Sequence, residues 1–354
     1  MDCRLLTGDH LDLSDYRLGT PQQAGSLTVV PITAQHSTDL FLPPTEADGV
    51  GYHATTGTPM LLNRREQGCI LAPLHLGIPV ERSKSYVLSH TTLLARTERL
   101  DLAREIPFPS QPSRRTRFDT TQNYVLPLTL RGRAWRVRRS TERARLTPEL
   151  NALQIRLRRL GLGTLEAAVQ ARTPQMHCLS RQIELLSGQT GALFFIDDQP
   201  VGLEIAPSPA FFAALWPPLL LGCYGLTALL REQDSPVTTP MLEPYSVSRL
   251  TELRTEMFRA RHQRQEKLEA AVTRRVEDAI TIAEEQRWRN YRVQSLTGTS
   301  FAGQYVEEVL GTETKATDGG AMPKMLRNLF RKAGPTEETT RKRVVYVSLF
   351  AMGG

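Results

Sequence analysis

The sequence predicts an α+β protein with mixed or antiparallel sheets, helices packed on one face, and one long charged helix. Three observations predict this class. Short apolar runs bounded by Gly, Pro or Thr dominate the first 130 residues, a hairpin and an apolar helical stretch follow between 182 and 231, and a charged helical stretch spans 246–287. We therefore expect a mainly β N-terminal region, 1–146, and an α+β region, 147–354.

Four strands are predicted in the N-terminal region, each bounded by turn-forming residues. They are Leu27–Ile32, Cys69–Leu74, Ser85–Leu94 and Tyr124–Leu130. The stretch Pro107–Thr121 is rich in proline and arginine and is predicted to be an exposed loop. Two helices are expected next, one beginning at Thr147-Pro148-Glu149 and one over Thr164–Arg172.

A tight hairpin and two buried helices are predicted in the middle of the chain. Gly191–Ile196 and Val201–Ile205 are apolar runs joined by Asp197–Pro200, and Ser208-Pro209 supplies a capping residue and an N1 proline. The segment Pro207–Leu230 carries no charge and is long enough to cross a bilayer. Because Pro217 and Pro218 interrupt it, we expect two helices, the second starting at Pro217 and packed on the hairpin, with a membrane span as the alternative.

The C-terminal part is predicted to alternate between helix and strand. A helix capped by Ser246 or Ser248 runs to about Arg287, with a polar middle over Arg259–Lys267 that projects into solvent or bridges two packed ends. The following elements are two strands, a short basic helix and an interior strand: Arg289–Gln294, Gly303–Val309, Pro323–Lys332 and Arg343–Phe350.

Composition limits the classes of function. The formal charge of +7 permits contact with phosphates of a nucleic acid, a nucleotide or a lipid surface without selecting among them. The four cysteines, Cys3, Cys69, Cys178 and Cys223, form no CxxC pair, so a disulfide scaffold and a zinc site are not predicted. We expect a cytoplasmic protein without a signal peptide, a metal or a cofactor.

Three blocks resemble a known family. They are Gly25–Ile32, the run from Gly188 through Ile205 to Leu229, and Val344–Phe350. Together they resemble the bacterial domain family named for its association with ADP-ribosylglycohydrolases and rhodanese-phosphatases. The resemblance implies a context in NAD and ADP-ribose metabolism. The N-terminal Gly-Glu and Gln-Asn/Asp-Arg block usual in that family has no clear match here, and Gly132–Trp135 resembles its Arg-Trp step only loosely.

Candidate ligand-binding residues come from an arginine-rich stretch. Seven arginines fall between Arg131 and Arg145 around Trp135, a combination that suits phosphate contact and base stacking. A solvated strand edge and helix face is the alternative interpretation. Arg131, Arg133 and Arg136 would contact phosphate and Trp135 a base, with Gln189 and Tyr224 as second choices.

Two functions are consistent with these features. The first is an accessory protein of NAD or ADP-ribose metabolism that binds a nucleotide-like or other phosphate-bearing ligand. The second is a non-catalytic interaction protein that binds a partner protein or nucleic acid through the polar part of the long helix and through Pro323–Lys332. No catalytic residue is predicted. Glu204 is expected either to face solvent or to lie in a cleft, and His75 and His90 could meet in space.

Overall fold

The fold was taken from a computed structural model, which describes residues 11–44, 50–55, 58–81, 84–109, 123–139, 173–234, 249–276, 280–314 and 338–352. The predicted helices at 147, 164–172 and 323–332 lie outside these residues, as does most of the predicted loop 107–121. Strands in mainly antiparallel sheets and a smaller number of helices make up the described part, as expected of an α+β protein.

Nine of the described strands form one antiparallel sheet. Their bounds are β1 Tyr16–Leu18, β2 Gln22–Ala24, β3 Leu27–Ala34, β14 Gln189–Ile196, β15 Gln199–Ile205, β16 Ile280–Trp288, β17 Tyr291–Thr297, β18 Phe301–Thr314 and β19 Glu338–Ala351. Their order across the sheet is β1-β3-β14-β15-β19-β18-β17-β16, with β2 paired to β3. The last strand lies between β15 and β18, so the predicted interior position of Arg343–Phe350 is confirmed.

The large sheet curls around one of its faces. The hydroxyl of Tyr16, on the edge strand β1, donates to the carbonyl oxygen of Val344 on β19 at 2.8 Å. Four inter-strand steps separate β1 from β19, which in a flat sheet is about 19 Å and beyond the reach of a tyrosine. The curled face encloses a core made almost wholly of the sheet's own side chains, such as Phe195, Leu203 and Val347.

The β14–β15 hairpin forms as predicted, with Asp197 and Asp198 as its two turn residues. Both have positive φ, 49° and 58°, which is the backbone of the two-residue turn whose twist matches the flanking strands. Aspartate tolerates this conformation better than most residues because its short side chain bonds locally. Glu204, on β15, is 5% exposed and lies on the face opposite Leu203 and Ile205.

Three small sheets built from the N-terminal region lie against the other face. Their strands are β4 Phe41–Leu42, β5 Val50–Thr55, β6 Thr58–Asn63, β7 Cys69–Ala72, β8 Leu76–Glu81, β9 Lys84–Val87, β10 Thr92–Leu94, β11 Arg99–Asp101, β12 Ile106–Pro109 and β13 Tyr124–Val125. One of them docks on the large sheet through Gln286 of β16. The Gln286 amide accepts from the Leu93 N–H at 2.8 Å and donates to the Leu93 carbonyl at 2.6 Å, replacing a backbone pair.

Helices α1 Leu128–Val137, α2 Thr173–Gln182, α3 Pro209–Pro217, α4 Gly225–Asp234 and α5 Leu250–Val276 are described, with a π-helical segment over Pro218–Tyr224. The predicted strand Tyr124–Leu130 is wrong beyond Val125. Pro127 fixes the backbone φ that opens a helix, and α1 starts at the next residue. The predicted end of the long helix is also wrong, since Ile280–Trp288 is strand β16. The apolar residues of Ile280–Trp288 belong to a strand of the large sheet and not to the end of the helix.

The apolar helices pack on the hairpin as predicted. Ser208 caps α3 by accepting from the Phe211 N–H, and Trp216 lies beside Phe194 of β14. Pro209–Glu232 is long and apolar enough to cross a membrane, with a mean hydropathy of 1.5, and 56% of its most apolar window is buried inside the protein. The predicted second start at Pro217 is replaced by the π-helical segment, which continues directly from α3.

The sheet draws strands from both predicted regions of the chain. β3, from residues before 146, pairs with β14 along seven register positions. The division at 146 falls within residues 140–172, outside the described part, and it stays a prediction.

Candidate functional site

Helix α1 decides which arginines of the basic run are buried. It crosses β18 and β19, and Arg131, Trp135 and Arg138 recur at helical spacing on the side that faces the sheet. Arg131 is 0% exposed and Arg138 is 8% exposed. Arg133 and Arg136 lie on the other side and are exposed. The predicted strand ended at Leu130 and no helix was predicted to start there, so this separation into buried and exposed arginines was not predicted.

Arg131 is the centre of a buried polar cluster. Its Nη1 donates to Glu204 Oε1 at 2.6 Å and to Tyr224 Oη at 3.0 Å, and its Nη2 donates to Ser348 Oγ at 2.6 Å. Burial acts to lower the pKa of Arg131, but Glu204 outweighs it and the net pKa is raised. Because Arg131 keeps its charge, Glu204 is held as its counter-ion.

Tyr224, the last residue of the π-helical segment, contacts both Arg131 and Glu204. Its hydroxyl donates to Glu204 Oε1 at 2.7 Å, and its ring stacks on Phe194 with centroids 3.9 Å apart. A Cβ at Gly202 would lie 2.0 Å from that hydroxyl, so only glycine leaves room for it. A π segment adds a residue to the helical turn and re-aims the side chains around it, and such segments are frequent at functional sites. Burial, then Glu204, raises the pKa of Tyr224.

His75 joins the same cluster in a strained conformation. Its φ is 62°, which is uncommon for a residue other than glycine, and its Nδ1 accepts weakly from Arg131 Nε at 3.5 Å. Burial lowers the pKa of His75 well below its usual range, and Arg131 lowers it further, so the ring is neutral. Its Nε2 has no hydrogen-bond partner among the described residues.

A line of polar residues leads from this cluster across the sheet. The cross-strand neighbours Glu204, Ser348, Gln304 and Ser295 lie on successive strands in register. Gln304 Nε2 donates to Ser295 Oγ at 3.1 Å, and Ser295 Oγ donates to Glu285 Oε1 at 2.6 Å. The line therefore ends at Glu285 on β16, where it meets the C-terminal end of α1.

The second cluster surrounds Glu285 and is partly open to solvent. Arg139 Nη2 donates to Glu285 Oε1 at 2.6 Å, and His90 Nε2 lies 3.9 Å from Glu285 Oε2. Burial acts to raise the pKa of Glu285, but hydrogen bonds from Ser295 and Arg139 outweigh it and the net pKa is lowered. Burial lowers the pKa of His90 despite the opposing effects of Glu285 and Glu105, so its ring is neutral near pH 7.

Arg138 has an unusual environment in this second cluster. Its guanidinium lies 3.3 Å from the centroid of the Trp135 ring, and its Nη1 donates to the Trp135 carbonyl of its own helix at 2.8 Å. Its buried Nε has no partner among the described residues. Burial, reinforced by Arg139, lowers the pKa of Arg138 to about 10. This guanidinium is desolvated, and no carboxylate of the described residues is bound directly to it, which favours a bound anion.

The structure brings together only two of the six predicted site residues. Arg131 and Tyr224 share Glu204, while Gln189 bonds to Leu186 and Gly191 at the start of β14. Trp135 is buried, with its Nε1 donating to Thr297 Oγ1 at 3.0 Å, so a ligand base would have to displace Arg138 to reach the ring face. Arg136 donates to the Met352 carbonyl at 3.2 Å and Arg133 is exposed.

The group formed by Arg138, Arg139, His90 and Glu285 was not predicted from the sequence. Helical spacing from Pro127 onwards would have placed Arg138 beside Trp135. Nothing local links His90 to Glu285, because they come from a loop and a strand 195 positions apart. No group of three or more His, Cys, Asp or Glu side chains suited to a metal ion occurs within the described ranges.

Comparison with known families bears on the same region. Residues 136–298 match the family model of the ARPP-1 domain, the ARG and Rhodanese-Phosphatase-superfamily-associated Protein domain. The ARPP-1 match covers less than half of the chain and includes the central block of the resemblance, with Glu204, Tyr224 and Glu285. The match does not include the first and third blocks of the resemblance, Gly25–Ile32 and Val344–Phe350. It also does not include Arg131 and His90. No curated protein and no solved structure matches the chain.

Proposed function

We propose that this chain is an accessory protein of NAD or ADP-ribose metabolism that binds a nucleotide-like, phosphate-bearing ligand at the C-terminal end of α1. The single observation that carries the proposal is the arginine pair Arg138 and Arg139, where one guanidinium is desolvated on Trp135 and no carboxylate in the described part of the chain is bound directly to it. The ARPP-1 match supports the metabolic context, since the domain is named for its association with the ARG and rhodanese-phosphatase proteins.

The charges around Arg138 suit a phosphate. Arg139, with a side chain 50% exposed, leaves guanidinium N–H groups facing solvent at the same end of the helix. Glu285 neutralises the positive charge of Arg139, and the positive charge of Arg138 is available to an anion. Arginine presents its donors in a planar fork that matches phosphate oxygens, so two neighbouring arginines can hold one phosphate group.

Calorimetric titration with ADP-ribose and NAD tests the proposal. We expect binding that weakens with added salt, and a loss of roughly tenfold or more in affinity for Arg138→Gln and for Arg139→Gln, because a hydrogen bond to a charged group contributes about 1.5–3 kcal/mol. Arg181→Gln, an exposed arginine on α2, is the matched control and should bind like the wild type. Absence of heat at millimolar ligand would refute the proposal.

A second function is favoured by one feature of α5. Leu250, Met257 and Phe258 are 84%, 42% and 57% exposed, which is unusual for three large apolar side chains on one helix. A partner protein or nucleic acid could bind there, with the neighbouring Arg254 and Arg259 supplying charge. Anisotropy titration with random-sequence DNA at low and high salt tests the nucleic-acid form. Binding that Arg254→Gln with Arg259→Gln weakens, and that Arg138→Gln leaves unchanged, would favour this second function.

A further inference from the structure

The tautomer of His90 follows from its neighbours. Ser89 Oγ and the Ser89 N–H both lie 2.7 Å from Glu105 Oε2. An ionised carboxylate only accepts hydrogen bonds, so the single hydroxyl hydrogen of Ser89 points at Glu105. Ser89 Oγ must then accept from His90 Nδ1, which lies 2.9 Å away. The proton of neutral His90 is therefore on Nδ1, and Nε2 carries a lone pair.

Glu285 presents a second acceptor towards this nitrogen. Its Oε1 already accepts from Arg139 and from Ser295, each at 2.6 Å. Its Oε2 lies 3.9 Å from His90 Nε2, which is too far for a hydrogen bond. The two atoms could not bond to each other in any case, because both are acceptors. No donor within the described part of the chain reaches either atom. Their side chains are 29% and 16% exposed, so both are partly open to solvent.

The surrounding charge restricts what can bind between the two acceptors. Two positive charges, Arg138 and Arg139, and two negative ones, Glu285 and Glu105, act on His90, so the charges around the site nearly balance and suit a neutral ligand group. A neutral group that offers two O–H donors side by side would satisfy both atoms. Water can do so, and the adjacent hydroxyls of a sugar ring can do so with a fixed geometry and a smaller loss of entropy per bond.

We infer that His90 Nε2 and Glu285 Oε2 form a binding site for a vicinal diol, the cis-hydroxyl pair of a ribose whose phosphate is held by Arg138 and Arg139. The inference rests on the proposed function and assigns the sugar of the ligand. Arg139 donates to Oε1 of Glu285, the carboxylate whose Oε2 belongs to the diol site. The diol site and the phosphate site are therefore adjacent. Ser89 and Glu105 are positioning residues, because they hold the imidazole in the tautomer that accepts.

The test compares ligands that differ by one hydroxyl. AMP, 2′-deoxy-AMP and 3′-deoxy-AMP are titrated into the wild-type chain at pH 7.5 by calorimetry. We expect each deoxy ligand to bind about 5–50-fold more weakly than AMP, because the carboxylate or the imidazole loses its donor. In His90→Phe, which keeps a planar ring but removes one acceptor, AMP and one of the two deoxy ligands should bind within about twofold of each other, whereas the other deoxy ligand should stay weaker because Glu285 is retained. His36→Phe, at an exposed histidine, is the matched control.

The outcomes separate this inference from the proposed function. Discrimination against both deoxy ligands in the wild type, of which His90→Phe removes one and His36→Phe retains both, supports the diol site. Equal affinities for the three nucleotides in the wild type overturn the diol site but do not contradict the proposed phosphate site. No binding of AMP and of ADP-ribose overturns both. The wild-type comparison decides the matter even where a variant does not fold.

Discussion

Arg131 Nη1 and Glu204 Oε1 lie 2.6 Å apart although the two residues are separated by 73 positions in the chain. The pair joins helix α1 to the central hairpin inside the core, where the side chains are 0% and 6% exposed. A buried pair of this kind costs desolvation and is strongly destabilising only when one partner is removed. Its fixed geometry therefore sets the register of α1 over the sheet.

Breaking this pair from either side should destabilise the protein. We expect Glu204→Gln and Arg131→Met each to cost about 3–5 kcal/mol in the free energy of unfolding, because each leaves one buried charge without a counter-ion. The double variant should cost less than the sum, since no buried charge remains and the glutamine that replaces Glu204 would still accept from Tyr224. Urea unfolding followed by circular dichroism measures all three. Strictly additive costs would show that the two charges do not depend on each other.

Stability should fall as the pH drops below about 6.5. Burial lowers the pKa of His75 and of His90 in the folded state, while the unfolded chain binds protons with the usual histidine pKa. The unfolded state then binds more protons below that pH, so stability increases with pH by up to about 1.4 kcal/mol per pH unit for each such histidine. Unfolding free energies between pH 5 and 7 measure the slope. His75→Asn, which tolerates the positive φ, should reduce it, and an unchanged slope would mean that His75 is not the cause.

Gly202 should not tolerate even a methyl group. A Cβ there would lie 2.0 Å from the hydroxyl of Tyr224, and the Tyr224 ring cannot retreat because it stacks on Phe194. We expect Gly202→Ala to cost about 2 kcal/mol or more by overpacking. Gly222→Ala is the matched control, since its Cβ would come no closer than 3.4 Å to any atom. Thermal melting of both proteins decides the point, and equal melting temperatures would contradict the packing of Tyr224.

The hairpin turn should select residues that accept a positive φ. Asp198 has a φ of 58° and is exposed. Asp198→Val should therefore cost about 1–2 kcal/mol, because a β-branched residue clashes in this conformation. Asp198→Gly should stay within about 1 kcal/mol of the wild type. Gln199→Val, one residue further in an extended conformation, controls for the added apolar side chain. A valine tolerated equally at both positions would argue against this turn.

Local signals in the sequence determined the central hairpin and the start of the helix that follows it. Two aspartates between apolar runs predict a turn, and Ser208 before Pro209 predicts a helix start, because the backbone preferences of these residues act over a few positions. The interior placement of the last strand also followed from its apolar residues on both faces. The resemblance carried by residues 188–229 pointed to the ARPP-1 domain for the same reason, since that block is contiguous.

Only the tertiary structure decided which charged groups meet. Arg131 was predicted to contact a ligand phosphate and is instead buried against Glu204, because that partner comes from a strand distant in sequence and the helical phase of α1 turns Arg131 inward. His90, Glu285 and Arg139 come from a loop, an edge strand and a helix end, and the curled sheet brings them close together. Sequence spacing encodes contacts within one element, whereas a site built across elements depends on how they pack.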